Sequence, residues 1–222
     1  MSDETHSSGD QIEVGDIRDS IGVAIGRGAS ATVNVHNYQP PEFPLDNLPP
    51  PNPNFTGREA QLAAIQTALR AEQGALAITQ AITGLGGVGK TQLALAYAHA
   101  QRDAYDLIWL LRAEDAPTLD ADLRQLGLVL GLPIHAADAE TARQAVLSWL
   151  NGAAQRWLLL LDNADTIAPR DLRRYLPGGR GHTLITTRRQ QWQGAQTLAL
   201  AVFTPQEAAA FWQNRLVAGA SR

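Results

Sequence analysis

The sequence of 222 residues contains no cysteine and only one methionine. Without cysteine the chain can form neither a disulfide framework nor a thiolate metal site, which fits a reducing compartment. No apolar run approaches the roughly 20 residues that a membrane-spanning helix needs. The first ten residues, MSDETHSSGD, are acidic and polar, unlike a secretory signal peptide. We therefore expect a cytoplasmic protein that does not contact a membrane.

Basic residues are also scarce. The chain has 18 Lys and Arg against 22 Asp and Glu, a formal net charge of −4. This balance gives no basic surface for direct nucleic-acid binding. Apolar residues are plentiful, at 45% of the chain against 18% charged residues, so we expect a globular protein with a sizeable core.

Composition divides the chain into three segments. Residues 1–39 carry short β-branched runs broken by Gly, Ser and Asp, which predicts either a β-prone segment that stacks between chains or a disordered tail. Residues 40–54 hold seven of the twelve prolines, which predicts a stiff, extended linker or a strap on the next domain. Residues 55–222 alternate between helical and strand patterns and form the main domain.

Five apolar runs in the main domain predict strands, and helical patterns lie between them. The runs are continuously apolar rather than alternating, so they predict a parallel sheet covered by helices on both faces, an α/β fold. Asp115 and Asp138 stand where helices should begin, and Pro205 opens a last helix. The predicted strands are residues 75–82, 106–111, 157–161, 182–187 and 197–202.

A glycine-rich stretch follows the first predicted strand. Residues 84–91, GLGGVGKT, match the pattern G-x-x-x-x-G-K-[ST]. Glycines let consecutive backbone N–H groups curl around a phosphate, and the helix that follows adds its positive N-terminal end. Lys90 would place a charge against the β- and γ-phosphates, and Thr91 would offer a hydroxyl to Mg²⁺. The alternative is a glycine-rich turn that only joins a strand to a helix.

Two later strands end in charged residues. Asp162 follows the apolar run 158–161, and the carboxyl end of a parallel strand faces the ligand crevice, so Asp162 would hold Mg²⁺ through water. Alternatively, it caps the turn DNAD. Arg188 follows Thr186 and Thr187 at the end of the fourth strand and would contact the γ-phosphate, unless it is a solvated arginine.

Five segments together resemble a known family. FTGREAQLAAIQTAL, GLGGVGKTQLALAYA, YDLIWLLRAED, LLLLDNAD and TLITTRR occur in the order and spacing of the NB-ARC (AP-ATPase) domains of the STAND class of P-loop NTPases. The resemblance covers roughly residues 55–216. It implies a three-layer α/β/α fold with a parallel five-stranded sheet in the order 5-1-4-3-2. It also implies an ADP-bound resting state that oligomerises when ATP replaces ADP.

The same resemblance implies roles for individual residues. Phe55, Gly57 and Arg58 should lie against the adenine, and Arg188 should distinguish ATP from ADP. The expected site therefore has Lys90, Asp162 and Arg188 as its catalytic set and Thr91 and Asp162 as Mg²⁺ ligands. The expected nucleotide-binding residues are Phe55, Gly57, Arg58, Gly84, Gly86, Gly87, Val88, Gly89, Lys90, Thr91 and Gln92.

The sequence departs from the family in two respects. Many members carry a second acid after the metal-binding aspartate, but this chain has Asn163, which cannot act as a general base, and Asp165 follows beyond the strand tip. We therefore expect slow hydrolysis. The family's helical and winged-helix domains, which hold ADP, have no counterpart in residues 1–222, so we expect weaker nucleotide retention.

Three functions follow from these features. The first is an ADP/ATP-binding switch in a bacterial STAND signalling or defence protein. The second is the NTPase core of a STAND-type transcription regulator whose DNA-binding module lies outside this chain. The third is a turnover ATPase, which would need a glutamate after Asp162; Asn163 argues against it. The rate of steady-state ATP hydrolysis separates the first function from the third.

Overall fold

A computed structural model describes residues 41–70, 78–83, 89–189 and 196–200. Residues 1–40, residues 84–88 of the glycine-rich stretch and the helix predicted from Pro205 lie outside the described residues. None of the described helices is long and apolar enough to cross a membrane.

The centre of the fold is a six-stranded sheet in which every described strand pair is parallel. The prediction of an α/β fold around a parallel sheet is confirmed. The strands run in the order β1-β3-β4-β5-β2-β6. Without β1, the five predicted strands therefore follow one another as 5-1-4-3-2 when read from β6. Their bounds are β1 Leu45–Asp46, β2 Ile78–Thr83, β3 Leu107–Arg112, β4 Trp157–Asp162, β5 His182–Thr186 and β6 Gln196–Ala199.

The sixth strand, β1, comes from the proline-rich segment. The sequence predicts five strands, but Leu45 and Asp46 pair with Leu107 and Ile108 at the edge of the sheet. Asn47 then continues the pairing with its side chain. Of the two alternatives for this segment, a strap on the domain agrees with the described residues from position 41 onward. We call residues 41–55 the strap.

Further polar contacts hold the strap along the domain. The Asn47 side chain accepts a hydrogen bond from Leu110 N at 2.6 Å and donates one to Leu110 O at 2.9 Å. Asp46 forms an ion pair with Arg102. The His99 ring lies 2.9 Å from the Pro49 carbonyl. These contacts reach three separate parts of the domain, so the strap follows its surface and does not hang free.

Helices cover both faces of the sheet. Two of them begin at the aspartates that the sequence predicts: Asp115 accepts a hydrogen bond from Thr118 N at 2.8 Å, and Asp138 accepts one from Thr141 N at 2.7 Å. The helices are α1 Glu59–Arg70, α2 Lys90–Ala100, α3 Ala116–Val129, α4 Ala139–Gly152 and α5 Pro169–Leu172.

The core has two parts because successive residues of a strand point to opposite faces. On β3, Leu107 and Leu111 pack into a cluster with α3 and α4, whereas Ile108 packs into a second cluster with α1 and α2. All five apolar residues of β4, from Trp157 to Leu161, are at most 1% exposed. The result is the expected α/β/α arrangement, which places the carboxyl ends of the strands beside the start of α2.

Candidate functional site

A cavity of about 650 Å³ lies where the ends of β3, β4 and β5 meet the start of α2. The lining at the start of α2 consists of Gly89, which precedes the helix, and its first three residues, Lys90 to Gln92. The lining from the strand ends includes Asp162 and Arg188. Carboxyl ends of parallel strands are where open α/β sheets bind their ligands. The structure therefore brings together Gly89, Lys90, Thr91, Gln92, Asp162 and Arg188, as the sequence predicts for these six.

The start of α2 suits an anion. Gly89 precedes the helix with a φ of +87°, a left-handed conformation that glycine adopts without the steric cost of a Cβ. No side chain caps the helix at this position. The first N–H groups of any α-helix lack intrahelical acceptors, so this end of α2 offers donors and a positive dipole to the cavity.

Lys90 adds a positive charge at the same end. Burial lowers the pKa of Lys90 below its usual value because it disfavours the ammonium form, and Arg188 lowers the pKa further. Asp165 and Asp162 act in the opposite direction. Lys90 therefore stands in a group of mixed charges, and a bound anion would restore the stability of its ammonium form.

Thr91, Asp162 and Thr186 form a short hydrogen-bond chain across the floor of the cavity. Oδ1 of Asp162 accepts hydrogen bonds from Thr91 Oγ1 at 2.7 Å and from Thr186 Oγ1 at 2.5 Å. The Thr186 hydroxyl in turn accepts one from Asn163 N at 2.9 Å. The chain joins α2, β4 and β5, so it fixes the hydroxyl and the carboxylate that the sequence assigns to Mg²⁺.

The donor set fits Mg²⁺ bound together with a phosphate. Within the described ranges, no group of three or more His, Asp or Glu residues could hold a metal. Mg²⁺ usually keeps several waters and binds proteins through one or two oxygens plus substrate phosphates. The hydroxyl of Thr91 and the carboxylate of Asp162 match that requirement. They do not suit a metal that needs a complete protein cage.

Asp165 is a further member of this site that the sequence patterns do not predict. It lines the cavity, and its carboxylate binds Arg188, with 2.6 Å between Arg188 Nε and Asp165 Oδ2. Burial alone would raise the pKa of Asp165, but hydrogen bonds from Arg188 and Thr187 outweigh it and leave the pKa below its usual value. Asn163, which turns the chain from Asp162 toward Asp165, has a φ of +64°, a conformation that asparagine tolerates. The signal for Asp165 in the sequence was the turn DNAD itself.

A second cavity of about 510 Å³ lies between the strap and α2. Phe55, Leu95 and His99 line it. Gln92 lines both cavities, and its Oε1 accepts a hydrogen bond from Asn52 Nδ2 of the strap at 2.8 Å. The first turn of α2 is thus shared by the two cavities.

Gly57 and Arg58 lie between the strap and α1. Gly57 has a φ of +71°, and Arg58 is only 4% exposed. In the part of the chain that the structure describes, neither residue lines either of these two cavities. Gly84, Gly86, Gly87 and Val88 lie outside the described residues. The nucleotide contacts predicted for these six residues remain predictions.

Comparison with curated proteins gives distant but significant relatives, although no protein-family model matches the sequence. The chain is 34% identical over 173 residues to the regulatory protein AfsR of Streptomyces griseus, covering 72% of this chain and 17% of that protein. It is 35% identical over 159 residues to a nucleotide-binding leucine-rich repeat (NLR)-like protein of Hyaloscypha variabilis, covering 62% of this chain and 16% of that protein. The chain thus spans less than a fifth of the length of these relatives.

Solved structures share the fold. Cdc6p from Pyrobaculum aerophilum superimposes with a TM-score of 0.56 at 14% identity, over 72% of this chain and 49% of that chain. The ORC2 protein of Aeropyrum pernix, solved as ADPNP-ADP complexes, superimposes with a TM-score of 0.53 at 20% identity, over 82% of this chain and 54% of that chain. At such low identities the similarity establishes the fold alone, and the chemistry of the site must be argued from the residues of this chain.

Proposed function

The chain belongs to the STAND class of P-loop NTPases, as an NB-ARC-type nucleotide-binding domain, and from this premise we propose that it is an ADP/ATP-operated switch with slow hydrolysis. The observation that carries the proposal is the hydrogen bond from Thr91 to Asp162. It lies in the cavity that Lys90 and Arg188 also line. Two cations suit a polyphosphate, and the paired hydroxyl and carboxylate suit its divalent counterion. Similarity to an NLR-like protein and to a regulatory protein supports a regulatory role.

Phosphates and Mg²⁺ occupy the first cavity in this proposal. Lys90 binds the β- and γ-phosphates together with the first N–H groups of α2, and Arg188 contacts the γ-phosphate. Thr91 and Asp162 hold Mg²⁺, which neutralises the phosphate oxygens when bound. ADP lacks the group that Arg188 recognises, so this arginine distinguishes the two nucleotides.

The adenine occupies the second cavity in this proposal. Phe55 offers an aromatic ring there, and the apolar side chain of Leu95, on α2, also lines this cavity. Gln92 lies between the two cavities, which suits a ligand with a polar end and a flat apolar end. Gly57 and Arg58 follow Phe55 at the start of α1 and complete the base site.

A pair of variants tests this placement. Phe55→Ala should weaken ADP binding by about 1–3 kcal/mol, the usual size of a lost base–aromatic contact. The same variant should bind inorganic tripolyphosphate as the wild type does. Phe43→Ala is the matched control, because Phe43 also belongs to the strap but stacks on Trp149, with 6.4 Å between ring centroids. Equal loss of ADP and tripolyphosphate binding in Phe55→Ala would place the adenine elsewhere.

Slow hydrolysis follows from the residue after the metal-binding aspartate. Asn163 lines the cavity, but its amide cannot accept a proton from the attacking water. A nucleotide switch needs the bound triphosphate to persist long enough for the ATP-bound state to self-associate. Steady-state ATP hydrolysis should therefore be much slower than one turnover per second. A hydrolysis rate of many turnovers per second would contradict the switch and indicate a turnover ATPase.

The decisive experiment identifies the resident nucleotide. Mass spectrometry of the supernatant from purified, heat-denatured protein should find adenine nucleotide, and calorimetry on the emptied protein should measure ADP and ATPγS binding. Sedimentation velocity should then show self-association with ATPγS and not with ADP. Protein that releases no nucleotide and binds neither ligand would refute the proposal.

A STAND-type transcription regulator is the second candidate, favoured by the similarity to the regulatory protein of Streptomyces griseus. The DNA-binding module of such a regulator would lie outside this chain, because the net charge of −4 offers no basic surface. Fluorescence anisotropy with labelled duplex DNA at low salt should detect no binding to this chain. Salt-dependent binding would instead show a DNA contact within residues 1–222.

A further inference from the structure

We propose that Asp165 positions Arg188 for the terminal phosphate of a nucleoside triphosphate and thereby sets the preference of the site for triphosphate over diphosphate. The inference deepens the proposed function and rests on it. Asp165 is a positioning residue in this account. It acts on the ligand through the guanidinium of Arg188 and makes no contact with the phosphate itself.

The two carboxylate oxygens of Asp165 have different partners. Oδ1 accepts hydrogen bonds from the backbone N of Arg188 at 2.6 Å and from Thr187 Oγ1 at 3.0 Å. Oδ2 accepts from Arg188 Nε at 2.6 Å. One oxygen thus fixes the backbone where β5 ends, and the other fixes the side chain that leaves it. The arrangement holds Arg188 at both the start and the end of its flexible stem.

The contact with Arg188 uses Nε and leaves the terminal amino groups available. Among the described residues, neither Nη1 nor Nη2 of Arg188 donates a hydrogen bond, and the side chain is 64% exposed at the cavity. Phosphate recognition by arginine usually takes two parallel N–H groups of the guanidinium fork. A carboxylate that sequestered Arg188 would engage those terminal groups. The Nε contact therefore favours orientation of Arg188 toward the cavity over its withdrawal.

Asp165 is itself held in place. Its side chain is 17% exposed. Its backbone carbonyl accepts hydrogen bonds from Arg189 Nη2 at 2.8 Å and from Nε at 3.2 Å. Its backbone N donates to the Asn163 carbonyl at 2.8 Å. A fixed anchor lowers the conformational entropy that Arg188 loses when it binds an anion, so it strengthens binding only for ligands that reach this arginine.

The test compares ATPγS and ADP binding to Asp165→Asn by calorimetry with Mg²⁺. Asparagine keeps one carbonyl oxygen for Arg188 N and Thr187, so the turn stays in place, but the amide nitrogen cannot accept the Arg188 Nε–H. We expect ATPγS affinity to fall about tenfold, the size of one lost hydrogen bond to a charged group. ADP affinity should stay within about twofold, because ADP has no γ-phosphate to reach Arg188.

Three further variants complete the test. Asp165→Glu keeps the charge but displaces the carboxylate, and we expect the same loss of triphosphate preference. In an Arg188→Ala background, Asp165→Asn should leave the ratio of the two affinities unchanged. Asp171→Asn is the matched control, because Asp171 pairs with the exposed Arg170 and Arg174. This control should bind both nucleotides as the wild type does.

Several outcomes would overturn the inference. These are an unchanged or increased triphosphate preference in Asp165→Asn, retained preference in Asp165→Glu, or an effect of Asp165→Asn that persists without Arg188. If the wild type binds both nucleotides, such a result refutes the role of Asp165 but does not affect the proposed switch function. If the wild type binds neither nucleotide, both the role of Asp165 and the switch function are refuted. Thermal unfolding of each variant without nucleotide verifies that it is folded.

Discussion

Thr91 and Asp162 are 71 residues apart in the sequence, yet Thr91 Oγ1 donates a hydrogen bond to Asp162 Oδ1 at 2.7 Å. The contact joins the first turn of α2 to the end of β4. The two groups that the proposed function assigns to Mg²⁺ are therefore already adjacent in the described structure. We therefore expect the two groups to bind Mg²⁺ with little rearrangement, so the site is preorganised for the metal.

Thr91→Val should abolish most of the gain in ADP affinity that Mg²⁺ provides, because valine keeps the shape and removes the hydroxyl. We expect a loss on the order of 2 kcal/mol in Mg²⁺ and little change in EDTA. Calorimetry under both conditions measures the difference. The same Mg²⁺ gain in the variant as in the wild type would show that Thr91 does not serve the metal.

Lys90→Ala should weaken nucleotide binding by on the order of 2–5 kcal/mol, the usual effect of removing one partner of a desolvated charge pair. Calorimetry with ADP measures this loss. Unchanged ADP binding would refute the role of Lys90.

Lys90 also predicts a pH dependence. Burial lowers its pKa below the usual 10.5, so the free protein loses this charge at a lower pH than an exposed lysine would. Nucleotide affinity should be constant below that pKa and should fall above it, by up to about tenfold per pH unit. Lys90→Arg, which stays charged, should retain its affinity over the same range. Parallel profiles for the two proteins would contradict the assignment.

Arg143→Ala should destabilise the domain by about 3 kcal/mol, because it leaves partners of a buried cation unpaired. The Arg143 side chain is 6% exposed, pairs with Asp120 at 2.9 Å and lies 4.7 Å from the centre of the Tyr175 ring. Urea unfolding measures the change. Arg170→Ala, at a side chain that is 88% exposed, should change stability by less than about 0.5 kcal/mol. Equal effects of the two variants would contradict this account.

His182 predicts a loss of stability in mild acid. Burial lowers the pKa of His182 below 6.5, and its Nδ1 lies 2.6 Å from the Tyr105 hydroxyl. Below pH 6.5 the unfolded chain takes up a proton that the folded protein does not, so this contribution is complete above pH 6.5 and falls as the pH drops toward the folded pKa. The slope should reach at most about 1.4 kcal/mol per pH unit.

Urea unfolding between neutral pH and mild acid measures this slope. His182→Gln should flatten it, whereas His135→Gln, at an exposed histidine, should not. A wild-type slope that persists in His182→Gln would assign the acid sensitivity to another group.

The sequence was informative where local chemistry decides the structure. Continuous apolar runs indicate buried parallel strands. Asp115 and Asp138 indicate where α3 and α4 begin, because an aspartate side chain accepts a hydrogen bond from a free N–H of the first helical turn. Asp162 and Arg188 were found together because carboxyl ends of parallel strands must meet at one edge of the sheet, and Lys90 was found by the glycine-rich pattern that precedes α2. Asp165 could not be found in this way, because its place depends on the left-handed turn at Asn163.

The sequence did not predict strand β1 either. Two residues have no periodicity, and neighbouring prolines argue against a sheet. Pairing of Leu45 with Leu107 depends on which edge of the sheet is open, and only the assembled domain supplies that information. Local pattern therefore predicts the elements, and the contacts between distant elements decide the rest.

The strap changes where the folding unit begins. A protein cut at position 55, the boundary that composition suggests, would lose β1, the Asn47 side chain and the Phe43–Trp149 stack. The outer edge of β3 would then present bare amide and carbonyl groups, which are a template for pairing with another chain. Protein that begins at Phe55 should therefore aggregate edge to edge more readily than protein that begins before Glu42.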